Sequence, residues 1–218
     1  LGLSDVFYGI FAFLAASGLS LVIFKLAAHT RSISTLLIVG IAVSSFLGAF
    51  TSFAVYLIGE DSFRITAWMM GYLGGANWQK IALLLPPLLF CMAYFYAKRH
   101  ELNIILNGDE EAKSLGLNVE RSKKSLLIVS SLIIGFSVAF TGMIGFVGLI
   151  IPHTLRMALH TASNAVLIPA SALTGGVFLV FCDVIAKNAL SPVEIPIGVV
   201  TSFFGAPFFL YLAFRKHA

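Results

Sequence analysis

Long apolar stretches almost free of charge alternate with short polar connections along the whole sequence. A helix that crosses a hydrocarbon core ~30 Å thick, at ~1.5 Å per residue, needs about 20 apolar residues. Residues 6–24, 35–59, 81–97, 161–182 and 195–214 each meet that need without an Asp, Glu, Lys or Arg. Residues 125–160 continue the pattern, but as one helix they would run roughly 54 Å, far more than a bilayer is thick. The stretch is therefore expected to fold as two spans. Gly142, Gly145 and Gly148 mark where the chain turns, and Pro152 stands early in the second half. The pattern predicts an all-α, polytopic transmembrane helical bundle.

Composition agrees with lipid as the main solvent: of 218 residues, 59% are hydrophobic and 11% charged, too apolar for a water-soluble globule of this size. The apolar segments recur to the C-terminus, so a secretory signal does not explain them. The chain begins at Leu1 without an initiator Met, and the expectation is one transmembrane domain over residues 1–218, incomplete at its N-terminus. Cys91 and Cys182 lie inside apolar segments with no CxxC or Cys/His companion, which points to buried thiols and neither a disulfide nor a metal site. The formal charge of +4 resides between spans, where it sets orientation, so nucleic acid is not an expected partner.

Lys and Arg gather on the cytoplasmic side of a membrane protein. With seven spans, Lys25, Arg31, Lys98, Arg99, Lys113, Arg121, Lys123, Lys124, Arg156, Arg215 and Lys216 share one side against Arg64, Lys80 and Lys187, a split of 11 to 3. With six spans it is 9 to 5, because Lys187 changes sides one way and Arg156, Arg215 and Lys216 the other. Seven spans are therefore expected, with the C-terminus in the cytoplasm and Leu1 outside.

Small residues let membrane helices approach closely. Gly40, Ser44, Gly48 and Ser52 recur every four residues on one face of the second span, as do Ala12, Ala16 and Ser20 in the first. Such a stripe serves helix packing. In the second span it also offers Ser44, Ser45, Thr51 and Ser52, beside Gly48, as the lining of a polar translocation path. Residues 60–77 are too short and interrupted for a crossing, and residues 63–70 are expected to form a short helix at the outer surface, with Trp68, Tyr72 and Trp78 at interfacial depth. That element is either an extracellular gate, carried by Thr66, Met69 and Met70, or an anchor.

The polar loop at residues 98–124 holds the run GDEEAKSLGLNVERSKK. Asp109, Glu110 and Glu111 stand where carboxylates favour a helix start, Gly116 suits its end, and residues 118–121 suit the opening of a second helix. Two short helices of mixed charge would make a docking knob, the alternative being an ordinary solvated loop. His153 and His160 have no Asp, Glu or Cys companion, so no metal site is expected, and the run Pro-His-x-x-Arg is read as the inner end of its span with Arg156 reaching the interface. Asp183 and Lys187 lie one turn apart and can pair along one face. Pro86 and Pro87, and later Gly198, Gly205 and Pro207, are expected to kink or loosen their helices.

Ion-coupled secondary transport calls for ionisable groups near the bilayer midplane, and the span centres have none. An intramembrane enzyme needs a nucleophile with its base or converging metal ligands, and no such set occurs. A glycine-rich phosphate loop is also missing, so the chain is not read as an enzyme and energy would come from another subunit. A secondary transporter or channel-like protein remains the alternative.

The runs GDEEAKSLGLNVER, GMIGFVGLIIPHTLRM and EIPIGVVTSFFGAPFFLYL, with MMGYLGGANW at residues 69–78 and the Asp183, Lys187 pair, resemble the FecCD-type permease subunits of bacterial ABC importers for iron-siderophores, haem and cobalamin. The resemblance runs in register from about Leu36 to Arg215. It implies a ten-span subunit of which the last seven are present, located in the bacterial cytoplasmic membrane. A second permease subunit, cytoplasmic ATP-binding subunits and an extracytoplasmic substrate-binding protein are the implied partners, with ATP and magnesium held by the ATP-binding subunits and no cofactor by this chain. The resemblance places Asp109, Glu110, Glu111, Ala112, Gly116 and Leu117 in the loop that inserts into the ATPase. It gives Lys187 the role of meeting a carboxylate on the binding protein, with Lys where Arg is common, and Glu194 is a further candidate contact. A ferric siderophore is the first expectation for cargo, with haem and cobalamin open.

Overall fold

The computed structural model describes residues 3–28 and 33–215, and every regular element among them is helical. The helices are α1 (Leu3–Ala28), α2 (Ile33–Ile58), α3 (Phe63–Met69), α4 (Trp78–Ala97), α5 (Arg99–Ile105), α6 (Asp109–Ser114), α7 (Val119–Thr141), α8 (Val147–Leu159), α9 (Asn164–Asn188) and α10 (Ile197–Arg215), with a 3-10 turn at Gly59–Ser62. Arg31, Lys216 and Leu1 lie outside the described residues, as do the side chains of Ala12, Ser20, Arg64 and Arg215.

Each of the seven expected spans corresponds to a helix, and the break between α7 and α8 falls at Gly142 as its sequence suggests. The lengths differ from expectation. Ile38–Ile58, Trp78–Ala97, Val119–Thr141 and Asn164–Asn188 are long and apolar enough to cross a bilayer. Helix α8 has 13 residues, about 20 Å of rise, and falls well short of a full crossing. It ends at His160, whose φ of 49° is left-handed.

The bundle is layered around α7 and α9. Helix α1 lies along α7, α4 packs on α7 and α9, and α8 and α10 pack on each other and on α9. The densest burial lies at one end of α9, where Cys182 and Ala186 meet Ile197 and Val200 of α10, with Leu73, Ile144 and Phe178 around them. Phe178 and Phe204 stack edge-on at 6.2–6.4 Å spacings that also include Phe181. Most other large apolar side chains face outward, as a lipid-facing surface requires: Leu173, Val177, Phe203 and Phe214 are each at least 70% exposed. Helix α2 packs on α1 and on the 3-10 turn, and no residue of its apolar window 38–58 is buried.

Pro86 and Pro87 sit inside α4, which runs unbroken from Trp78 to Ala97. Gly198 and Gly205 lie at points of close packing on α10. A Cβ at Gly198 would stand 2.3 Å from the Met70 carbonyl oxygen, and one at Gly205 would stand 2.3 Å from the Phe146 ring.

Candidate functional site

The loop at residues 98–124 is built from local chemistry. Helix α6 opens at Gly108, whose φ of 124° suits glycine, and carries Asp109, Glu110 and Glu111 in its first turn against the positive end of the helix dipole. It closes at Gly116, φ 82°, where Gly116 N–H donates to the Lys113 carbonyl at 3.0 Å and Leu117 N–H to the Ala112 carbonyl at 3.0 Å. This pair of bonds across a left-handed glycine is the Schellman way of satisfying the last carbonyls of a helix. Asn118 then caps the next helix, its side chain accepting from Arg121 N–H at 3.0 Å.

The helix that opens there is α7 itself, in place of the second short helix expected from the sequence. The knob's other short helix is α5, upstream of the charged run. Of the six expected coupling residues, Ala112 is fully buried and cannot touch a partner; it packs the knob from within. Asp109 is held by Lys123 Nζ at 2.6 and 2.7 Å. Leu117 is half-buried, which leaves Glu110, Glu111 and Gly116 exposed at the tip. Leu115 joins them, 64% exposed, an apolar side chain on a charged knob that sequence reasoning passed over.

Two further ties anchor the knob to the bundle. Glu101 of α5 accepts from Ser122 Oγ of α7 at 2.8 Å and pairs with Lys98. Burial raises the Glu101 pKa, but the hydrogen bonds from Lys98 and Ser122 and the Lys98 charge outweigh it and hold the carboxyl below its ordinary range. The hydrogen bond to Glu101 is also the main reason the Lys98 ammonium is held above its ordinary value. Asn103 Oδ1 accepts from both Asn164 N–H at 2.9 Å and Asn164 Nδ2 at 2.8 Å, joining α5 to the start of α9.

At the opposite end, the segment after α3, the end of α7 and the start of α10 meet backbone to backbone. Tyr72 N–H donates to the Thr141 carbonyl at 2.9 Å, Ile197 N–H to the Gly71 carbonyl at 3.1 Å, and Gly198 N–H to the Met70 carbonyl at 3.0 Å. Only glycines allow this approach: a Cβ at Gly142 would lie 1.9 Å from the Trp68 carbonyl oxygen, and one at Gly71 would lie 3.0 Å from that of Met143. The short helix expected at residues 63–70 is present as α3. Thr66 bonds back to the Ser62 carbonyl at 3.0 Å, and Met69 and Met70 lead directly into the junction, so this segment is fastened to the start of α10 and to the α7–α8 turn. Trp68, Tyr72 and Trp78 are exposed, as interfacial rings should be.

Lys187 pairs with Asp183 Oδ2 at 2.6 Å on the same end, with Lys187 left 41% exposed. Ile195 N–H bonds back to the Ala186 carbonyl at 3.0 Å, which brings the exposed Glu194 close enough to act electrostatically on Lys187. On α2, Ser44, Ser45, Gly48 and Ser52 are exposed, and Thr51 donates back to the Leu47 carbonyl at 3.0 Å. Nothing among the described residues comes within 4 Å of a Cβ built at Gly40 or Gly48, so the stripe is unpacked there. His153 stands edge-on to Phe208 with ring centroids 6.2 Å apart.

These features define a multi-pass helical membrane protein with a structured knob at one end and a glycine-stitched junction at the other. The FecCD transport family matches residues 1–215. Similar proteins include the cobalamin import system permease protein BtuC of Halobacterium salinarum, 44% identical over 184 residues, which are 84% of this chain and 49% of that protein. The hemin transport system permease protein HmuU of Yersinia pestis is 36% identical over 211 residues, 94% of this chain and 62% of its own. A solved structure described as an inward-facing conformation of a metal-chelate type ABC transporter superposes with a TM-score of 0.80 at 30% identity, covering 91% of this chain and 64% of that one. The chain belongs to the FecCD transport family. It spans about half to two thirds of the length of the relatives it matches.

Proposed function

We propose that this chain forms the C-terminal part of a permease subunit that works with cytoplasmic ATP-binding subunits to import a bulky metal-bearing chelate or macrocycle. The observation that carries the reading is the α5–α6 knob. It is closed at Gly116 by a Schellman turn and fastened to α7 and α9, as a part that transmits force to membrane helices must be, whereas a solvated linker would need none of those ties. Glu110, Glu111, Leu115 and Gly116 are its contact surface for the ATPase. Lys187 and Glu194 form the docking face for an extracytoplasmic binding protein, and α2, bare along its Ser44 to Ser52 face, is the candidate wall of the path shared with a second permease subunit. Relatives named for cobalamin and hemin support the cargo class, and a ferric siderophore belongs to the same class.

The test is uptake in proteoliposomes holding the complete protein with its ATP-binding subunits, offered labelled cobalamin, haemin and a ferric siderophore. ATP-dependent accumulation of one of them is the expected result. Uptake that proceeds without nucleotide, or a complete protein that captures no ATPase, overturns the reading.

A further inference from the structure

The N-terminus of α9 is capped from another helix. The first backbone N–H groups of any helix lack intrahelical acceptors, and the residue just before the helix normally supplies one from its side chain. At α9 that residue, Ser163, makes no such bond. The Asn164 N–H is instead satisfied by Asn103 Oδ1, 61 positions back in the sequence, and the same oxygen also takes the Asn164 side-chain amide at 2.8 Å. Asn103 therefore acts here as an acceptor only, with both bonds on one atom.

The bond lies where the knob meets the bundle. Helix α5 is held to α7 by Glu101 and Ser122, and α6 is held to α7 by Asp109 and Lys123, so α5, α6 and the start of α7 are tied together. Helix α9 runs from Asn164 to Asn188, the full depth of the bundle, and carries Lys187 at its far end. Helix α5 packs against α9, and Asn103 supplies the hydrogen bonds that tie the two together.

We infer that Asn103 is a positioning residue for transport: its side-chain oxygen caps α9 in trans and so carries the displacement of the α5–α6 knob to the helix that bears the outer docking face. The inference rests on the reading of this chain as an ATP-driven permease. It assigns a route by which nucleotide closure reaches one membrane helix.

The experiment uses the complete protein with its ATP-binding subunits in proteoliposomes, a spin label at the exposed Val166 position of α9, and a second label on the ATPase. Asn103→Leu removes the acceptor. It is expected to leave complex assembly and basal ATP hydrolysis unchanged, to abolish the nucleotide-driven change in the label distance, and to cut uptake about tenfold, as expected for one hydrogen bond lost and one donor orphaned. Asn103→Asp keeps an oxygen in the same place and is expected to retain both uptake and the distance change. Full uptake and an unaltered distance change in Asn103→Leu overturn the inference. Equal failure of Asn103→Asp and Asn103→Leu with loss of ATPase binding also overturns it, by showing a merely structural role. If the unmodified complex shows no ATP-driven uptake at all, the permease reading itself falls, and that outcome is separate because it appears before any substitution is made.

Discussion

Gly116 and Gly198 show two different reasons for a missing side chain. Gly116 needs its left-handed φ of 82° but has open space around a hypothetical Cβ, whereas Gly198 is pressed against the Met70 carbonyl. Gly116→Ile therefore strains the turn by roughly 1–2 kcal/mol without disturbing the bundle. Such a variant is expected to insert into the membrane normally and lose ATP-driven uptake, as membrane fractionation and transport assays will show. Unchanged uptake and ATPase association would remove the knob from the coupling role. Gly198→Ala acts on the opposite end: with a carbon 2.3 Å from a backbone oxygen, the α3–α10 stitch must open. A fall of several degrees in the thermal midpoint of the detergent-solubilised protein is expected there, while Gly48→Ala, which meets no described atom, gives none unless another subunit packs on that face. Lys187 is judged by charge reversal: Lys187→Glu is expected to weaken capture of the binding protein in pull-down, with recovery by a Lys on the partner's facing carboxylate position. Docking that ignores the reversal makes the Asp183–Lys187 pair purely structural.

At the scale of elements, α5 is the instructive case. Its grip on α7 depends on an ionised Glu101, whose pKa is lowered in the folded protein. A lowered carboxyl pKa means that the contribution is complete above the ordinary value of 4.5 and is lost as pH falls through the folded pKa beneath it. Hydrogen exchange of residues 99–105, corrected for intrinsic rates, is expected to stay slow from neutral pH down to about 5 and to quicken only in stronger acid. Glu101→Gln should remove that response. The break at Gly142, the short α3 and the start of α6 are legible in the sequence, because each is written in neighbouring residues: glycines at the break, a short interrupted run with aromatics around α3, and carboxylates in the first turn of α6. Helix α5 was not, since it continues the end of α4 after a single residue and its polar groups read as loop. The bonds from Glu101 to Ser122 and from Asn103 to Asn164 join positions 21 and 61 apart, and no local spacing announces them. One signal was available for Asn103: a lone amide inside the apolar run Leu102 to Leu106, a place where an uncharged polar group needs a partner. Gly142 read as a turn residue and Gly198 as one that loosens its helix, and the purpose they share with Gly71 appears only where three chain segments converge.

For the whole molecule, the layered bundle with bare α2 puts a test on the path assignment. In the complete, assembled protein, cysteines placed at Ser44 or Ser52 are expected to react with a small charged thiol reagent if water reaches that face. Reaction confined to lipid-soluble reagents would assign the stripe to packing or lipid. The same chemistry checks orientation, with a cysteine at Ser114 expected to be labelled from the cytoplasm and one at Leu190 from outside. Helix α8 adds a geometric condition. If its Leu159 end is level with the inner headgroups, about 20 Å of rise brings Val147 to rest some 10 Å beneath the outer ones. The stitched backbone junction at that level would then lie beneath the outer surface, under a thinned leaflet or under water. With α8 so placed, a molecule arriving from outside would meet this junction beneath the level of the outer headgroups.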